Sequence, residues 1–105
     1  MIQCLPTVNL IGLHPAMQIC NIVVAICYYK FNQVCVITSA VDGVHSEKSL
    51  HKKGRAVDYR TWYFEDDQLE HLVKEIRKNL PSGYDVVLEQ DHLHIEYDPY
   101  DPKVI

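Results

Sequence analysis

Leu69, Leu72, Val73, Ile76 and Leu80 recur every three or four residues, and this stripe restricts the fold more than any other stretch. It predicts a helix over 65–80 with one apolar face. Glu65, Asp66 and Asp67 sit at its electropositive start, and Arg77 and Lys78 at its electronegative end. Glu70 and Lys74 form an i,i+4 pair in the favourable order. Pro81-Ser82-Gly83 stops it. A helix apolar on one side must lay that side on another layer of structure.

The other layer is predicted from short β-like runs. Residues 33–41 and 55–61 read as strands, rich in Val, Ile, Thr and Tyr. Residues 84–89 and 92–98 read as a hairpin about Gln90-Asp91. Alternation points Leu93, Ile95 and Tyr97 to the core, and His92, His94 and Glu96 to the opposite face. Ala56, Asp58 and Arg60 share one side of their strand, Val57 and Tyr59 the other. Before these, 1–13 reads as an extended, turn-rich lead-in. Pro15 opens a mostly buried helix reaching about Phe31, with Ile19, Ile22, Val23 and Ile26 on one face. Asp42-Gly43 breaks the first strand, and 44–53 reads as a loop. The sum is an α+β fold: a small antiparallel sheet, helices packed on one face, and a metal site on the other. The 105 residues are enough for one domain spanning 1–105.

Composition narrows the function. A net charge of -4 removes the general attraction that drives nucleic-acid binding, so no nucleic-acid partner is expected. The apolar run 19–26 is too short to cross a bilayer, so no membrane insertion is expected. Cys4, Cys20, Cys27 and Cys35 form no C-x-x-C pair and read as small buried hydrophobes of a reducing compartment. The N-terminus lacks a basic segment, and Pro6, Asn9, His14 and Pro15 interrupt it. The expectation is a chain made in the cytoplasm without a signal peptide, released to the cell wall or carried in a virion. The oligomeric state is not legible in these patterns.

The remaining polar residues cluster by type. His51 and Asp58 lie seven residues apart, and Asp91-His92-Leu93-His94 follows far downstream. His51, Asp58 and His94 are the candidate metal ligands: two imidazoles and a carboxylate, leaving a position open, as catalytic zinc requires. Such a centre acidifies water and polarises a carbonyl. Asp91 or Glu89 is placed to act as base. His92, on the ligand face, is a candidate donor to a tetrahedral intermediate. Arg60, two residues beyond Asp58, is a candidate holder of a substrate carboxylate, and Ser49, in the same small-residue pattern as Gly54 and Ala56, is a second candidate substrate-binding residue. Each has an ordinary alternative: surface histidines, a turn-forming Asp91, an exposed Glu89, and an ion pair between Arg60 and Glu96.

Ser49, His51, Gly54, Ala56 and Asp58, followed by Asp91, His92 and His94, form the pattern S-x-H-x-x-G-x-A-x-D then D-H-x-H. It resembles the LAS metallopeptidases, which include D-alanyl-D-alanine carboxypeptidases, phage endolysins, murein endopeptidases and the hedgehog signalling domain. The run Ile37–His51 is most similar to small, phage-related members. The resemblance covers roughly residues 10–100. It implies Zn2+ held by His51, Asp58 and His94, Asp91 as general base, and peptidoglycan peptides as substrate. One departure stands out. Where many members carry S-G-Y-R, with an Arg that meets substrate, this chain has Ser39-Ala40-Val41-Asp42. Arg60 or Lys48 is left to replace it. The alternative implied by the same family is a zinc-binding structural or interaction domain without catalysis.

Overall fold

The computed structural model describes residues 2–42, 50–51 and 53–100. The element order is β1 (Ile2–Cys4), α1 (Pro15–Lys30), β2 (Cys35–Ser39), β3 (Ala56–Arg60), α2 (Asp66–Asn79), β4 (Tyr84–Leu88) and β5 (His92–Tyr97). The strands form one sheet in the order β1-β2-β3-β5-β4. The α+β class is as predicted, but the sheet is mixed, because β1 runs parallel to β2. The lead-in is read from sequence as extended and turn-rich, with no strand marked in it. Its first residues instead extend the sheet edge, and Leu5 continues the pairing by donating its N–H to the Ile37 carbonyl (3.0 Å). Three exposed residues carry no burial pattern, so nothing in their sequence marks them as a strand.

α2 matches its stripe. Leu72, Val73 and Ile76 are buried, with Leu69 and Leu80 partly so. The Gln68 side chain accepts from the Glu65 backbone N–H at 3.0 Å, satisfying one donor at the helix start. α1 has the expected bounds but turns a different face inward. Met17, Cys20, Val24, Cys27 and Tyr28 are buried, whereas Ile19, Ile22 and Ile26 are exposed. This helix is apolar nearly all round, so periodicity alone cannot choose its inner face. Polar handles make the choice. The Tyr28 hydroxyl donates to the Arg60 carbonyl at 2.7 Å, and the Tyr59 hydroxyl donates to Asn21. His14 caps α1, its Nδ1 accepting from the Ala16 N–H at 3.0 Å.

Cys20, Cys27 and Cys35 are free and buried, as expected, but Cys4 is exposed on the edge strand. Burial pushes the Cys20 and Cys35 thiols up to about 12, so they stay protonated. Among the described residues no helix is long and apolar enough to cross a membrane.

One loop is tied across the molecule. The Asp42 carboxylate accepts the N–H groups of Asn9 (2.9 Å) and Ala40 (2.8 Å), and the Val41 N–H donates to the Asn9 carbonyl (2.9 Å). Partial burial opposes the charge of Asp42, but these hydrogen bonds outweigh it and hold the carboxyl below its ordinary range.

Candidate metal centre

β3 and β5 pair in antiparallel register, with Ala56 opposite Glu96, Asp58 opposite His94 and Arg60 opposite His92. Tyr59, between Asp58 and Arg60, reaches α1, so its two neighbours project from the other face of the sheet. The polar rungs of this ladder therefore stand together, away from the helices. Asp58, Arg60, His92 and His94 thus share one sheet face, as the two-residue alternation predicts.

His51 joins the middle rung from the preceding loop. The turn is fixed by two backbone hydrogen bonds, Gly54 N–H to the His51 carbonyl (3.0 Å) and Arg55 N–H to the Leu50 carbonyl (2.8 Å). Gly54 has a positive φ of 72°. A Cβ there would collide with the Gly12 carbonyl oxygen, while the Gly54 carbonyl accepts the His14 N–H at 2.8 Å. The glycine of the motif is thus required twice, by its backbone angle and by the closeness of a second strand of chain. Gly54→Ala is expected to destabilise the protein by about 2–4 kcal/mol, lowering Tm by roughly 10 °C or more. A thermal melt of the variant checks this.

His51, Asp58 and His94 each offer a ligand atom, and those atoms all lie within 4.8 Å of one another. Asp58 Oδ1 is the hub, 3.2 Å from His51 Nε2 and 2.9 Å from His94 Nδ1. The two imidazoles meet edge to face with ring centroids 5.0 Å apart. The group is recessed, with only 7% of the His51 side chain and 17% of the Asp58 side chain exposed. This His–Asp–His set can hold a metal ion: its donor atoms are the nitrogen and oxygen types that borderline cations take, and their spread suits one ion.

Each imidazole is steered from behind. His51 Nδ1 lies 2.8 Å from the Ala40 carbonyl, which fixes Nδ1–H as donor and turns Nε2 toward Asp58. A register shift in the β2–β3 pairing between Ile37 and Ser39 precedes Ala40 by a residue, where the strand leaves the ladder. His94 Nε2 lies 2.8 Å from Glu96 Oε1. With a carboxylate on both sides, the metal-free His94 ring holds both protons. Its pKa rises from 6.5 to about 9, chiefly through the hydrogen bond to Asp58, with burial opposing and Glu96 adding. For Asp58, burial opposes the charge, but hydrogen bonds from His51 and His94 prevail and hold the carboxyl well below the usual carboxylate range.

Glu96 and the Ala40 carbonyl were not among the predicted site residues. Glu96 was legible, since it lies two residues beyond His94 on the same strand face. Glu96, which the ordinary alternative would pair with Arg60, instead contacts His94. Glu96→Gln is expected to weaken metal binding 10–100-fold, as loss of an outer carboxylate behind a ligating imidazole does. Competition against a chromophoric chelator measures it.

The other predicted residues surround this core. His92 Nε2 lies 3.9 Å from Asp58 Oδ1, and its Nδ1 is 2.6 Å from Asp91 Oδ1. Asp91 therefore reaches the cluster through one imidazole. Glu89 stands on the exposed β4–β5 connection, its backbone N–H donating to the His92 carbonyl at 2.9 Å. Arg60 lies flat over Trp62, its Cζ 3.9 Å from the ring centroid. Its Nε is buried without a hydrogen-bond partner among the described residues. Leu5, Thr38, Arg60, Trp62, Asp91 and His92 line an open cleft of about 270 Å³ beside the cluster. Ser49 and Lys48 lie outside the described residues. Compared with family profiles, curated proteins and solved structures, the chain matches none.

Proposed function

We propose that this chain is a zinc-dependent peptidase that hydrolyses amide bonds in peptidoglycan peptides. The observation that carries the reading is the convergence of His51, Asp58 and His94 from two remote segments onto one point. Two imidazoles and one carboxylate favour zinc over the oxygen-seeking magnesium and calcium. A bound zinc ion supplies Lewis-acid chemistry, acidifying water and polarising the amide carbonyl. The chain's own residues do the rest. Asp91 takes a proton from the attacking water and delivers it to the leaving amine. His92, between Asp91 and Asp58, donates to the developing oxyanion. Arg60, stacked on Trp62 and short of a partner at Nε, holds the substrate carboxylate in the cleft where the family's usual Arg is missing.

Purified muropeptides with D,D and L,D linkages, incubated with and without a chelator, test the reading. Cleavage that stops on chelation and returns with zinc is the expected result. No chelator-sensitive cleavage of either linkage overturns it.

A second reading is a zinc-binding interaction domain without turnover. It is favoured by the Asp91 carboxylate, which is mostly exposed and turned onto His92. Asp91→Ala separates the two. An enzyme loses about 10²–10⁴-fold in kcat while keeping its zinc; an interaction domain keeps both its zinc and its function.

A further inference from the structure

We propose that the outer face of α1 is the interface of a two-fold symmetric homodimer, with two α1 helices packed antiparallel. The inference does not depend on the candidate metal centre. Ile19, Ile22, Ile26 and Tyr29 are 51%, 63%, 54% and 72% exposed. Isolated exposed apolar residues are ordinary, but a continuous line of large ones on a helix is not. Their spacing of three, four and three residues places them on one stripe about 15 Å long.

Several features select a second copy as the occupant. The stripe is symmetric about Val24, so reversing the helix superimposes it on itself. In an antiparallel pair Ile22 faces Ile26 of the other copy, and Ile19 faces Tyr29. This is the self-complementarity that a two-fold interface requires. The surface also carries both halves of a packing contact. The Ile22–Ile26 ridge is flanked on one side by a hollow of about 260 Å³ lined by Ile2, Asn21, Ile22, Ala25 and Ile26. On the other side is a hollow of about 160 Å³ that includes Val23 and Ile26. A ridge from one copy has a groove to enter on the other.

Charge agrees. The helix has one ionic side chain, Lys30 at its end, and Glu75 of the same chain already neutralises it at 2.8 Å. Nothing on the stripe repels a copy of itself. The stripe and Ile2 together offer roughly 600 Å² per copy, which reaches the lower end of specific interfaces when doubled. A lipid surface fits less well. Interfacial helices carry Lys or Arg on their polar side, whereas the far side of α1 is core, and the chain is net acidic at -4.

Sedimentation and light scattering of the purified chain at about 100 μM are expected to give a dimer mass. Ile22→Glu with Ile26→Glu is expected to give a monomer of unchanged circular dichroism and metal affinity. Ile19→Glu and Tyr29→Lys should each weaken the dimer at least tenfold, and should restore it when combined, because the two-fold pair then sets Glu against Lys twice. A monomeric wild type, a dimer that survives the Ile22/Ile26 pair, or a combination that fails to restore association overturns the proposal. So does binding of the wild type as a monomer to vesicles of phosphatidylcholine and phosphatidylglycerol.

Discussion

With Asp58 replaced by Ala, the protein is expected to lose more than a hundredfold in metal affinity while remaining folded. Asp58 Oδ1 is the atom that both candidate ligand imidazoles approach, at 3.2 and 2.9 Å. Removing it deletes a ligand outright, a larger loss than the 10–100-fold that follows removal of an outer partner. The fold should survive because the Asp58 side chain is on the polar face. Its strand neighbours Val57 and Tyr59 are fully buried on the other face and keep the core intact. Asp58→Asn separates shape from charge, and the same loss of affinity is expected from it. In either variant the His94 imidazole should titrate well below its value of about 9, since its hydrogen bond to Asp58 is the largest cause of that rise. Chelator competition reads the first effect and NMR titration of the imidazole the second. Unchanged affinity would remove the ground for a metal centre here.

The second large effect is a pair of opposed pH dependences. In the metal-free protein the His94 pKa is raised from 6.5 to about 9. A group raised on folding contributes stability that is complete below its unfolded value and fades as pH rises through the folded one. The metal-free protein should therefore lose stability between pH 6.5 and about 9. Asp58 has the opposite sign: its carboxyl is depressed from 3.8, so its contribution is present above that value and is lost on further acidification. Both shifts describe the same Asp58–His94 contact and are not added together. Metal binding runs the other way over the upper interval. His94 Nδ1 must give up its proton to bind, so affinity should rise about tenfold per pH unit until the ring is deprotonated. Melting temperatures of chelated and metal-loaded protein should diverge steadily from pH 6.5 to 9. Curves that stay parallel would show that no proton leaves when the metal enters.

The sequence made one-faced elements easy to read and all-round apolar ones hard. α2 is visible because its polar and apolar sides differ, and the buried residues are those of the stripe. α1 is apolar on nearly every side, so its bounds were legible but its orientation was not. That was decided by Asn21 and Tyr28 reaching partners 38 and 32 residues away. The site divides similarly. Strand alternation correctly joined Asp58, Arg60, His92 and His94, because a two-residue period needs only local sequence. The Ala40 carbonyl behind His51 was out of reach, because every residue has a carbonyl and only the fold selects one. Gly54 was noted as part of a pattern, but its cause, the carbonyl of Gly12 pressed against it, lies 42 residues upstream. Ser49, the other candidate substrate-binding residue, falls outside the described residues.

The segment from Leu5 to His14 supplies no proposed ligand, yet it braces the platform on which the first imidazole stands. Gly12 and His14 contact Gly54 on one side of His51, and Asn9 grips Val41 and Asp42 beside the carbonyl that aims the ring. Re-routing this segment should register first as loosened cation capture, before the hydrophobic interior gives way.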